Sequence, residues 1–180
     1  MRSRLGTTVK GGPKRALWRI IHEAESVRVA TLLAVTFLAG PVMGQVSPFV
    51  GTWKLNVAKS KFEGSAAPKS QTRTVTAEGT GLKYAFEGEA ADGSKFAYGF
   101  TSNLDGKDAA VSGTGMPGGA DTVALKKVNA DKTEGVLKKD GKEIGTVKAE
   151  VSKDGKTTTV TANRKVDGKE IKAVSVYEKQ

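Results

Sequence analysis

The chain has 180 residues, with 29 Lys and Arg against 19 Asp and Glu, one His and no Cys, for a net charge of +10. The missing thiol excludes disulfides, Cys-ligated zinc or iron–sulfur centres, a thiol nucleophile and a cysteine-linked lipid anchor. The positive balance is no nucleic-acid signature: half of it comes from residues 1–44, where seven basic residues meet only Glu23 and Glu25. The rest interleaves both signs, as a solvated surface does, and Lys126-Lys127, Lys138-Lys139 and Arg164-Lys165 each have a carboxylate within a few residues.

From the N-terminus, residues 29–42 read VATLLAVTFLAGPV, an apolar stretch after Arg28 and before Met43-Gly44-Gln45. It falls short of the roughly 20 residues that a membrane-crossing helix needs, so no stable membrane span is expected. Gly44, with Val42 two residues before it, is a cleavage point, and we read a signal peptide cut after Gly44 and an exported protein, periplasmic or extracellular. Residues 1–28 are long and polar for the start of such a segment, which a translation start near Val27 or Val29 would explain. His22, the one histidine, lies there. Residues 1–44 are thus a leader and residues 45–180 one domain, large enough to bury a core without staples.

After Pro48 the chain turns to short runs of Val, Thr, Tyr and Phe separated by turn residues, among them Asp92-Gly93, Asp105-Gly106, Asp140-Gly141, Asp154-Gly155 and Asp167-Gly168. This is an antiparallel β pattern. It predicts strands near 50–56, 70–78, 81–90, 94–103, 108–113, 121–129, 133–139, 142–151, 156–164 and 169–178, with one helical turn over Val57–Phe62. A meander of ten strands does not stay flat with two open edges, so an all-β, antiparallel up-and-down barrel or a strongly curled sandwich is expected. In the barrel the last strand meets the first, placing Val174, Val176 and Tyr177 beside Thr52 to Leu55.

The first clear hairpin allows a sharper deduction. A three-residue loop Ala91-Asp92-Gly93, with Gly93 left-handed, sets Phe86 opposite Tyr98 and Tyr84 opposite Phe100, all on one face. A two-residue loop would split the rings between core and water.

Trp53, Tyr84, Phe86, Phe96, Tyr98, Phe100 and Tyr177 are the natural lining of an apolar calyx, or the filling of a barrel packed solid, with Trp53 alternatively plugging the base. Glu87 with Glu89, and Asp105 with Asp108, are the nearest carboxylate pairs. The first pair alternates with Phe86 and Gly88 and so points to water, and the second reads as a turn rather than a calcium loop. Gly113 to Gly119 has neither the Lys-Ser/Thr of a phosphate loop nor a following helix, and is read as a flexible connection able to cover a barrel mouth through Met116. Without histidine in the mature part, a serine triad is excluded. No catalytic residue, metal or cofactor is expected.

GTWKLNVAKSKF (51–62), PKSQT (68–72), DGKD (105–108), DTVALKK (121–127), VSKDGKT (151–157) and VYEKQ (176–180) together resemble an abundant group of exported bacterial proteins described as lipocalin-like and lacking an assigned activity. The resemblance implies a lipocalin-like β-barrel. Gly51-x-Trp53 is similar to the broader lipocalin pattern, in which this tryptophan closes the base and pairs with a basic residue near the final strand, here Lys172 or Lys179. Ala109-Ala110 departs from the group, which has an aromatic and a proline there. The expected function is non-enzymatic binding of a small apolar or amphipathic ligand in the barrel through Tyr84, Phe86, Phe96, Tyr98, Phe100 and Trp53. The alternative is a solid barrel serving as a protein-interaction or envelope-associated module, its partner unspecified.

Overall fold

Alternation of apolar and polar residues, broken every eight to twelve residues by glycine turns, gives a chain whose backbone polar groups are satisfied by neighbouring strands. A computed structural model describes residues 47–166 and 168–180; the leader and its proposed cleavage site lie outside the described residues. The strands are β1 (Gly51–Leu55), β2 (Lys61–Glu63), β3 (Ser70–Glu78), β4 (Gly81–Glu89), β5 (Lys95–Ser102), β6 (Asp105–Ala110), β7 (Ser112–Thr114), β8 (Thr122–Lys127), β9 (Lys132–Lys139), β10 (Lys142–Val151), β11 (Thr157–Val166) and β12 (Lys169–Lys179). Among the described residues no helix is long and apolar enough to cross a membrane.

Pairing is antiparallel throughout, in the order β6-β8-β9-β10-β11-β12-β1-β3-β4-β5-β7, with β2 added to β12. The last strand meets the first as expected: Leu55 lies opposite Tyr177 and Trp53 opposite Lys179. Closure on the far side comes from one stretch of chain whose two halves serve opposite edges. β6 pairs with β8, and after Val111 β7 pairs with β5. The result is an all-β, nearly closed up-and-down barrel. At the crossing Gly113 has φ +93°, and a Cβ there would run into the Ala97 carbonyl, so only glycine lets β7 approach β5.

Three sequence expectations are corrected. The run at 108–113 is not one strand: it starts at Asp105 and divides, because its residues find different partners before and after Val111. The helical turn over Val57–Phe62 stops at Lys59 as a 3₁₀ turn, capped by Asn56 Oδ1 accepting from Lys59 N at 3.1 Å. Ser60 Oγ then donates to the Asn56 carbonyl at 2.7 Å and accepts from Val176 N at 2.9 Å, which draws the chain onto β12. Phe62 pairs with Ala173 and Lys61 with Val174, so Val174 stands beside β2 rather than β1.

The up-and-down order puts alternate turns at alternate ends. One end carries the β3–β4, β5–β6, β8–β9 and β10–β11 turns and the segment Ser47–Val50. Here Trp53, Val75, Leu82, Val151 and Thr158 are buried, and Phe49 belongs to the same buried cluster. Trp53 is fully buried and its Nε1 donates to the Phe49 carbonyl at 2.9 Å.

Candidate functional site

The barrel is not packed solid. Above the plugged base lies a cavity of about 430 Å³, reaching the opposite end between residues 65–68, the β4–β5 turn and Gly115–Gly118. That volume falls in the roughly 300–1,000 Å³ range of small-molecule sites. Its wall is largely apolar, contributed by inward positions of most of the strands.

The aromatic face follows from the hairpin. Gly93 is left-handed at φ +91°, Ala90 N donates to the Ser94 carbonyl at 2.9 Å, and Phe86 pairs with Tyr98 and Tyr84 with Phe100, as the three-residue loop demands. The cross-strand rings stack with centroids 4.8 Å apart in both pairs. Tyr84, Phe86, Phe96, Tyr98, Phe100 and Tyr177 all line the cavity; Trp53 does not, being spent on the base. Met116 and Pro117 also face the cavity, from the glycine-rich segment.

The sequence reading missed the polar part of this wall. Arg73 on β3 alternates inward with Gln71 and Val75, lines the cavity and is only 2% exposed. Its Cζ stands 5.6 Å from the Trp53 ring centroid and 5.2 Å from that of Tyr177. No protein group accepts a hydrogen bond from its Nε or Nη2. Cation–π contacts contribute about 0.5–2 kcal/mol each, whereas withdrawing a guanidinium from water costs several kcal/mol even after relaxation. The rings therefore leave the charge under-compensated, and burial holds its pKa below the ordinary arginine value. Lys179 also lies over Trp53, 5.1 Å from its centroid; Lys172, the other basic residue weighed for that place, points to solvent.

Around Arg73 are three tyrosines. Tyr177 Oη donates to Gln71 Oε1 at 2.7 Å, and Gln71 Nε2 donates to Tyr98 Oη at 3.3 Å. Tyr84 Oη is buried with no protein partner. Arg164 on β11 also lines the cavity, near the open end, its Cδ within 3.5 Å of where a Cβ on Gly118 would stand. The sequence reading placed Arg164 with Lys165 on a solvated face; strand alternation turns Lys165 outward and Arg164 in. Among the described residues lining the cavity there are two arginines and no acid.

The carboxylate pairs are engaged elsewhere. Glu89 binds Lys95 and Lys69, whose hydrogen bonds hold its pKa below the ordinary carboxylate value. Glu87 is exposed. Asp105 to Asp108 is not the turn expected but the bulged start of β6, where Asp105 accepts from Lys107 N at 3.1 Å, and Asp108 pairs with Lys138 at 2.7 Å.

The tyrosines give a direct readout. All three in the chain face the cavity, and burial raises each above the ordinary value near 10, Tyr84 to about 12. A group whose folded pKa is raised adds stability below its unfolded pKa and loses it as pH climbs through the folded value. Ultraviolet titration is therefore expected to show almost no tyrosinate near pH 10.5 in the folded protein, against more than half in denaturant, with stability falling between about pH 10 and 12. Half-ionised tyrosine near pH 10 in folded protein would mean that the rings are open to water.

No family model matches the chain, and no curated protein matches it in sequence. Among solved structures it is similar to the zebrafish ileal bile acid-binding protein complexed with cholic acid, at 13% identity and a TM-score of 0.46 over 74% of this chain and all of that one. The siderocalin Ex-FABP is similar at 16% identity and a TM-score of 0.34, over 74% of this chain and 75% of that one. Both are barrels of the lipocalin and fatty-acid-binding type; the architecture of this chain rests on its own strand pairing, not on these scores.

Proposed function

We propose that the protein is an exported, non-enzymatic binding protein that holds a small amphipathic molecule inside its barrel, using Tyr84, Phe86, Phe96, Tyr98 and Phe100 as the apolar wall. The cavity of about 430 Å³ carries this reading: a barrel whose base is closed and whose opposite end opens between loops encloses apolar surface that no side chain fills. Such space in a core costs stability, on the order of 24 cal/mol per Å³ where it is left empty, so a binding role explains its presence better than a packing one. Export rests on the apolar run 29–42 with Gly44 behind it.

Native mass spectrometry of the protein recovered from the periplasm of its own host, beside the same sample denatured, tests both parts. We expect a chain beginning at Gln45 and a reproducible extra mass that disappears on denaturation. A chain that still carries residues 1–44 overturns export. A bare chain arriving with a stoichiometric protein partner favours an interaction module over a carrier.

A further inference from the structure

We infer that residues Gly115 to Gly119 form a hinged strap that gates the cavity, with Met116 as its latch, so that a ligand enters and leaves by lifting this strap. This rests on the binding role proposed above and adds the route of exchange and what controls it.

The strap is fastened at both ends and loose between them. Before it, Ser112 to Thr114 pair with Gly99 to Ala97 on β5. After it, Ala120 is buried and Asp121 N donates to the Lys138 carbonyl at 3.0 Å. Among the described residues no backbone hydrogen bond joins residues 115–119 to a strand; the one from Gly119 N to the Met116 carbonyl, at 2.9 Å, stays inside the strap. What holds it down is apolar contact. Met116 and Pro117 line the cavity, and Met116 packs against the buried cluster. Gly118 comes so near β10 and β11 that a Cβ there would stand 3.4 Å from Ile144 Cδ1 and 3.5 Å from Val166 Cγ2. Contacts of this kind are non-directional and are readily broken and remade, above all by the flexible thioether of methionine.

The hinges are glycine. Gly115, Gly118 and Gly119 have φ of +83°, +75° and +65°. Glycine moves between left- and right-handed backbone without a Cβ penalty, so rotation at the ends lifts Met116 while the strand pairs on either side stay intact. The other two borders of the mouth are tied more tightly. The β4–β5 turn closes through Ala90 N on the Ser94 carbonyl and Gly93 N on the Ala90 carbonyl, with Asp92 accepting from Ser94. Residues 65–68 end at Pro68, which restricts its own backbone and that of Ala67, and at Lys69, whose N donates to the Glu89 carbonyl and whose Nζ pairs with the Glu89 carboxylate at 3.0 Å.

Stopped-flow fluorescence with anilinonaphthalene sulfonate, an apolar dye that brightens out of water, tests the gate on protein produced from the full chain. The chain has no cysteine, so Gly118→Cys with Val166→Cys can form one disulfide only, pinning the strap to β11. Oxidised, this variant is expected to take up the dye at least about 10-fold more slowly than the same variant reduced, a comparison in which every other wall contact is unchanged. Thiol titration reports whether the bond has closed. Should the left-handed backbone of Gly118 prevent closure, Met116→Ala decides: losing a latch raises the association rate, here by about 10-fold, whereas losing a mere wall contact raises the dissociation rate alone. Equal association rates in oxidised and reduced protein, or an unchanged association rate in Met116→Ala, overturn the gate and leave the binding role standing. If the wild type does not bind the dye, the gate falls together with the binding role.

Discussion

Trp53→Ala is expected to remove roughly 3–5 kcal/mol of folding stability, a large share of the 5–15 kcal/mol that a domain of this kind has. The indole is fully buried at the closed end, packed with Val75, Leu82 and Phe49, and no neighbour can fill the space without leaving its strand. Truncation also strips the Phe49 carbonyl of the Nε1 donor at 2.9 Å and takes a ring from Arg73 and Lys179. Trp53→Phe keeps most of the volume and loses the hydrogen bond, so a smaller loss is expected. Urea unfolding measures both, and an alanine variant within about 1 kcal/mol of wild type would show that the base does not depend on this side chain.

Arg73→Met has the opposite expected sign although the two residues touch. Replacing a buried, unpaired charge by an apolar side chain of similar length is often neutral or stabilising by about 1–4 kcal/mol, because the desolvation cost of the ion disappears. Against this stand the contacts with the Trp53 and Tyr177 rings, worth roughly 0.5–2 kcal/mol each. The ligand-free variant is therefore expected to be as stable as wild type or up to about 3 kcal/mol more stable. A loss above about 1 kcal/mol in ligand-free protein would make Arg73 a structural clamp for the base instead.

The two variants separate what the barrel needs to stand from what it keeps for a ligand. The closed end, where Phe49, Trp53, Val75, Leu82 and Val151 form one buried cluster, is expected to carry the stability. The candidate site occupies the layer above. There stacked aromatic pairs provide area, and an arginine is tolerated at a place where stability alone would favour a hydrocarbon. A buried charge retained against its desolvation cost is the kind of local inconsistency that functional sites show.

The aromatic face was legible because it depends on loop length and on the strand period of two. Once Gly93 takes the left-handed position, the pairing of Phe86 with Tyr98 and of Tyr84 with Phe100 is forced within some twenty residues. The meeting of β12 with β1 was legible too, since a long meander must cover its edges. Arg73 was not. In the sequence it is one of 29 basic residues, and only its alternation with Gln71 and Val75 hints that it points inward. Arg164 was read with Lys165 as a surface pair for the same reason: composition carries no direction, and direction comes from register.

What the sequence by itself determined was local: which segments are extended, where the chain turns, which rings share a face, and that no thiol chemistry is open to it. What only the tertiary structure decided was which strand each edge residue finds. The division of 105–114 between β8 and β5, the addition of Phe62 to β12, the choice of Lys179 over Lys172 beside Trp53, and the presence of a cavity with a buried arginine in its wall all depend on partners beyond the reach of a turn, from about a dozen to more than a hundred residues away in the chain, or on space enclosed by many strands at once. Turn chemistry acts over four or five residues and is written there. Barrel closure is a balance among distant pairings, and no single segment holds it.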